Sequence, residues 1–142
     1  MSDAIDPQEA ALPKRILLPL AFVNFTIGAG AFLVIALLAP ISQSLSMSKA
    51  QAGWVMGAYA LAYAVFSPVF IALTGAWRRR AVILAGLGLF IAASLASAFA
   101  TSPAALYAAR ILAAAGAGMV TPVAAAIAVA ISKPETRGAA LS

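Results

Sequence analysis

AVILAGLGLFIAASLASAFATSPAALYAARILAAAGAGMVTPVAAAIAVAIS, residues 81–132, contains one charged side chain, Arg110. A transmembrane helix needs about 20 apolar residues to cross roughly 30 Å of hydrocarbon. The stretch holds two such helices, joined by the uncharged turn Thr101-Ser102-Pro103. Toward the N-terminus the pattern continues: residues 16–48 and 50–77 are also uncharged, bounded by Lys49 and Arg78-Arg79-Arg80. The reading is an all-α membrane protein with four transmembrane helices, at about residues 16–38, 53–73, 82–100 and 104–131. A guanidinium at bilayer depth costs roughly 2.5–3.5 kcal/mol on insertion scales, so it turns toward protein or a water-filled path. An apolar wall with one interior cation points first to a transport pathway.

Composition closes off other chemistries. The 142 residues are 64% hydrophobic and 9% charged, with a mean hydropathy of +1.03. An ordinary soluble domain has about a quarter of its residues charged. Cysteine and histidine are absent, so the chain offers no disulfide, no thiol or histidine catalyst and no zinc ligands. The acidic residues are Asp3, Asp6, Glu9 and Glu135, all outside the apolar runs. No paired carboxylates and no intramembrane proton-relay carboxylate come from this chain. The expectation is therefore no enzyme, no metal and no cofactor. A pI near 10.3 does not indicate nucleic acid, because the cations sit in islands between apolar runs. The first run follows Lys14 and Arg15 as a signal peptide's would, but it exceeds a 7–15-residue signal core. It reads as a retained first helix.

The islands set an orientation. Lys14, Arg15, Arg78, Arg79, Arg80, Lys133 and Arg137 fall on one side of the four spans, and Lys49 alone falls on the other. The positive-inside rule places the crowded side, and both termini, in the cytoplasm. This gives a cytoplasmic tail over 1–15, a membrane segment over 16–132 and a cytoplasmic loop over 133–142. Trp54 and Tyr107 then lie near the outer interface and Trp77 near the inner one, where amphipathic rings favour the headgroup level.

Small residues mark the spans: Gly53 and Gly57 in the second, Gly86, Gly88, Ser94 and Ser97 in the third, Gly116 and Gly118 in the fourth. Close backbone approach is what associates helices in lipid. Gly53, Gly57, Gly116 and Gly118 are the packing candidates, serving either sliding interfaces or static ones. Pro68 and Pro122 can kink their helices. Asn24, Thr26, Tyr59 and Tyr63 are candidates for lining a substrate cavity, where a few polar groups on an apolar wall orient a ligand. Helix-to-helix hydrogen bonding is the other reading. Tyr59 and Tyr63 share one helix face at i,i+4 spacing.

Three motifs occur in order: Leu73-Thr74-Gly75-Ala76-Trp77-Arg78-Arg79-Arg80-Ala81-Val82, then Ala109-Arg110-Ile111-Leu112-Ala113-Ala114-Ala115-Gly116-Ala117-Gly118, then Pro134-Glu135-Thr136-Arg137-Gly138-Ala139-Ala140. Together with Ala58-Tyr59-Ala60-Leu61-Ala62-Tyr63-Ala64-Val65, they resemble the N-terminal part of a major facilitator superfamily transporter. The look is closest to the drug and sugar efflux branch, including arabinose-efflux-type permeases.

The resemblance implies the start of a twelve-helix fold. Four spans amount to one three-helix repeat plus the first helix of the next. The chain is accordingly expected to be the N-terminal piece of a longer transporter whose fifth helix lies beyond it. It implies secondary active efflux of a drug, sugar or metabolite by alternating access, coupled to protons as an antiporter. Its partners would be the bilayer, the substrate, protons and the remaining helices, with no nucleic acid. The location implied is a prokaryotic inner membrane.

By the same resemblance Arg110 takes the place of the arginine associated with proton coupling. Gly75 stands where the first motif carries an aspartate, and Ala76 where an arginine follows it. Arg79 and Arg80 match the basic pair of a conformational latch, which without the aspartate can equally be a topogenic cluster. Gly30 and Ala31 occupy the positions where the efflux branch often carries acidic residues. The alternatives are a four-helix dimeric exporter, which generally needs an acidic residue in the first span, and a non-transport scaffold, which needs no buried charge.

Overall fold

The computed structural model describes residues 14–131. The tail 1–13, the loop 133–142 with Lys133 and Arg137, and the third motif at 134–140 lie outside the described residues. Four α-helices account for nearly all of the rest: α1 (Lys14–Ser44), α2 (Lys49–Thr74), α3 (Arg79–Ala98) and α4 (Pro103–Ile131). All four are long and apolar enough to cross a membrane, and no strand occurs among the described residues. Apolar residues surround each helix instead of forming one stripe, the pattern of helices that meet protein on one side and hydrocarbon on the other.

α1 and α2 overrun the apolar windows because capping chemistry, not hydropathy, decides where a helix stops. α1 continues past Leu38 and through Pro40 to Ser44. There the Met47 N–H donates to the Ser42 carbonyl (2.8 Å) and the Ser46 N–H to the Gln43 carbonyl (3.2 Å). This pair of bonds is a Schellman closure, which places one residue in the left-handed region. That residue is Ser46, at φ 52°. α2 starts at Lys49, before Gly53, because Ser48 and Gln51 form a capping box. The Gln51 N–H donates to Ser48 Oγ (3.2 Å), and the Ser48 N–H donates to Gln51 Oε1 (2.9 Å). At the head of α4, Ser102 Oγ accepts the Ala105 N–H at 3.2 Å, with Pro103 as the first helical residue.

α4 is the axis of the packing, lying between α3 and α2, while α1 touches α4 and α2 more lightly. Of its most apolar window 50% is buried, against 6% for α1. Backbones meet where glycines face each other. A Cβ on Gly116 would come 2.6 Å from the Gly86 carbonyl oxygen and 2.6 Å from the Phe90 nitrogen. A Cβ on Gly86 would strike Met119, Val120 and Gly116 at 2.8–2.9 Å. On the opposite side Gly118 lies against Ser67 of α2, where a Cβ would stand 3.2 Å from the backbone nitrogen. Lipid supplies no hydrophobic drive between helices, so this contact area has to hold the bundle.

Among these four helices Gly53 and Gly57, expected as packing residues, take no part in such a crossing. A Cβ at Gly53 would meet nothing within 4 Å, and one at Gly57 would meet only Trp54 of its own helix. α2 instead turns Ala52, Val55 and Tyr59 inward. Of the paired glycines in the third span, Gly86 makes the crossing and Gly88 faces open space.

One end of the bundle carries Lys49 and the turn 99–102; the other carries Arg78–Arg80. At the Lys49 end the Tyr107 hydroxyl donates to the Gln51 carbonyl at 2.6 Å, tying the first turns of α4 and α2 together.

Candidate functional site

The inward face of α4 reads Leu106, Arg110, Ala113, Ala117, Val120, Ala124 and Ala128, successive steps of three or four residues. Arg110 lies on that line, about 10 Å along the helix from Pro103 at 1.5 Å per residue. Its neighbours Ile111 and Leu112 look outward. Arg110 is 1% exposed and is the largest side chain fully enclosed among the described residues. It sits beside an apolar cluster built from Ile27, Tyr59, Phe90, Ala93, Ala113, Ala114, Ala117 and Val120.

Its contact across the interface is Tyr59. The guanidinium Cζ lies 4.6 Å from the centre of the Tyr59 ring, a cation–π arrangement in a site closed to solvent. Arg110 Nε and Nη2 are buried and have no hydrogen-bond acceptor among the described residues. No described carboxylate can supply one, since Asp3, Asp6, Glu9 and Glu135 all fall outside residues 14–131. The site is therefore a desolvated cation held over an aromatic ring, with two donor nitrogens unused among the described residues. An arrangement of that kind can accept an anionic group or act as a field source on a nearby titratable one.

The other polar candidates fall in different places. Tyr63, one turn beyond Tyr59, is half-buried and packs against the apolar cluster. Asn24 is half-buried on α1, and its Oδ1 is enclosed without a hydrogen-bond partner among the described residues. Thr26 is exposed on the outer side of α1, and its hydroxyl donates to the Phe22 carbonyl at 2.8 Å. Among these four helices it, expected with the tyrosines as a cavity residue, is not brought together with them. Helical rotation separates the two: Asn24 and Thr26 are two positions apart and so face different ways. Gly30, where an acidic residue would have stood, receives the edge of the Phe90 ring; a Cβ there would lie 3.0 Å from Phe90 Cζ.

At the other end, Gly75 closes α2 in a right-handed helical conformation (φ −56°, ψ −32°). It borders a cleft of about 340 Å³ with Thr74, Trp77, Arg79, Val82 and Pro122. Thr74 is buried, with its hydroxyl bonded to the Phe70 carbonyl. Arg79 therefore reaches the α2–α4 groove, while the exposed Arg80 is not among the residues lining it.

Three features escaped the sequence reading: the Tyr107–Gln51 bond, the Ser46 closure and the Gly86–Gly116 crossing. The Ser48-x-x-Gln51 capping pattern was present in the sequence as a signal for the start of α2. The other three depend on how helices are rotated against each other, or on a left-handed residue that is not glycine.

Residues 20–142 match the sequence profile of the Major Facilitator Superfamily. The chain belongs to the major facilitator superfamily. Among curated members, it is 32% identical over 123 residues to the uncharacterized MFS-type transporter YbcL of Bacillus subtilis, an overlap covering 87% of this chain and 32% of YbcL. It is likewise 32% identical over 126 residues to the uncharacterized MFS-type transporter YtbD of the same organism, covering 89% of this chain and 32% of YtbD. The MFS-type transporter clz4 of Cochliobolus lunatus shares 34% identity over 119 residues, covering 81% of this chain and 21% of clz4. The chain thus spans about a third of the length of YbcL and YtbD, and less of clz4. No solved structure matches it. Membrane transport is the activity that goes with this superfamily.

Proposed function

We propose that the chain forms the opening helices of a secondary active transporter that exports a small molecule by alternating access, with Arg110 in the coupling step. The observation that carries this reading is the enclosed guanidinium on the central helix, which has no counter-ion among the described residues. A scaffold gains nothing from such a group, since a buried charge lacking a counter-ion lowers stability. A coupling residue needs it, because removing solvent magnifies its effect on a proton or anion nearby. The drug and sugar efflux branch, including arabinose-efflux-type permeases, is the assignment within the superfamily that the three motifs support.

Asn24, Tyr59 and Tyr63 supply the polar groups on the inward side of α1 and α2. Gly75, Arg79 and Arg80 belong to a switch at the opposite end, where Arg79 borders the α2–α4 groove. With the aspartate of that motif replaced by Gly75, the switch works through the cations alone. Proton antiport, a prokaryotic inner membrane and cytoplasmic termini complete the reading. Its supports are the crowding of cations at the Arg78–Arg80 end and the lone Lys49 at the other.

The test is Arg110→Met in the full-length transporter in inverted membrane vesicles. The readout is collapse of an imposed pH gradient on addition of ethidium or L-arabinose. Gradient-coupled movement is expected to disappear. The detergent-solubilised protein is expected to unfold at the same stability or to gain up to about 3 kcal/mol, since an apolar side chain of similar length replaces a buried charge. Retention of coupled flux in the methionine variant would refute the coupling role.

A further inference from the structure

A guanidinium can rotate about Cδ–Nε unless something meets its face. Along α4 the residues one turn away from Arg110 are Leu106, Tyr107, Ala113 and Ala114; Tyr107 is tied to the Gln51 carbonyl, and the other three are too small or too flexible to fix a plane. The aromatic surface in contact is Tyr59, itself only 9% exposed and held by the same helix face that buries Ala52 and Val55. Tyr63 shares that face but packs on the apolar cluster. The unsatisfied donors are also informative. Nε–H and one N–H of Nη2 lie on the same edge of the guanidinium and point the same way. They form the fork that takes a planar anion through two parallel hydrogen bonds.

We propose that Tyr59 is a positioning residue for Arg110. Its ring holds the guanidinium plane, so that the Nε–Nη2 fork is aimed in one direction at an acceptor. The attraction comes from the ring's quadrupole, so the phenol hydroxyl is dispensable. The biological meaning of this inference rests on the coupling role of Arg110; the geometry can be tested without it.

The experiment uses the full-length protein in membranes and follows modification of Arg110 by phenylglyoxal, an arginine-selective dicarbonyl, using mass spectrometry. No other arginine lies between residues 81 and 132, so the modified site is unambiguous. Tyr59→Phe is expected to react at the native rate, and Tyr59→Leu roughly tenfold faster, in line with loss of a desolvated cation–π contact. Tyr63→Leu is expected to leave the rate unchanged. In parallel, the Nε–H resonance of ¹⁵N-arginine-labelled protein should keep its ring-current displacement in Tyr59→Phe and lose it in Tyr59→Leu.

The proposal is overturned if Tyr59→Leu changes neither rate nor resonance. It is equally overturned if Tyr59→Phe behaves like the leucine variant, or if Tyr63→Leu accelerates modification as much as Tyr59→Leu does. Flux in Arg110→Met vesicles judges the coupling role separately. Positioning stands if rate and resonance follow the ring, even where that flux survives.

Discussion

α1 and α4 are both strongly apolar, α1 the more so by mean hydropathy, yet they occupy opposite environments. α4 carries Ala113, Ala114, Ala115, Gly116, Ala117 and Gly118 in succession, and this stretch is buried. α1 carries Phe22, Phe25, Phe32 and Leu33, all exposed, Phe32 to 74%. In water the large side chains would have formed the core and the small ones the surface. In a bilayer, lipid tails solvate Phe and Leu as well as protein does, so large residues gain little by turning inward. Small residues let two backbones approach within van der Waals range, and dispersion over that surface selects the central helix. Size, not hydropathy, sorts the helices.

The strongest way to break this contrast is to put bulk on the close-packed helix. Gly116→Leu places side-chain atoms where the Gly86 carbonyl and the Phe90 backbone already stand. The variant is expected to lose about 3 kcal/mol or more, at the upper end of overpacking costs, since backbone cannot yield as a side chain can. Gly53→Leu makes the same chemical change at an open position and is expected to stay within about 0.5 kcal/mol of native. Thermal unfolding in detergent, read by circular dichroism, compares the pair. Similar losses at both sites would show that glycine is needed for something other than the crossing.

A smaller effect is expected at the Lys49 end. Tyr107→Phe removes only the hydroxyl that bonds to the Gln51 carbonyl, and a loss of about 1 kcal/mol is expected for one net hydrogen bond. The same melts, with hydrogen exchange at the first turn of α2, check it. An unchanged exchange rate there would mean that the bond does not tie α2 to α4. The smallest effect belongs to the outer wall. Phe32→Ala is expected to move stability by no more than about 0.5 kcal/mol, because no cavity forms at a 74% exposed site. A large loss in the full-length protein would show that this face is covered by further helices instead of lipid.

The site was legible to different depths. Arg110 declared itself, since one cation in an uncharged run has to face inward whatever the neighbours are. Its contact did not: Tyr59 and Tyr63 share a helix face, and only the setting of α2 against α4 brings the first under the guanidinium. Thr26 and Asn24 looked alike as polar points on one span, but Thr26 turns out to satisfy itself on the Phe22 carbonyl. The glycines were the least legible. The Gly53-x-x-x-Gly57 pattern is a better textual match to a packing motif than Gly86 and Gly116, yet Gly53 faces open space.

The amino-acid order alone determined that four segments are membrane helices and that one guanidinium among them is turned from lipid. Hydropathy, charge cost and capping are summed over residues close in the chain. Only the tertiary structure decided which small residues meet, which tyrosine lies against Arg110, and that Phe90 fills the space beside Gly30. These depend on the rotation and crossing of helices distant in sequence, and a glycine or a tyrosine reads the same whichever way its helix is turned.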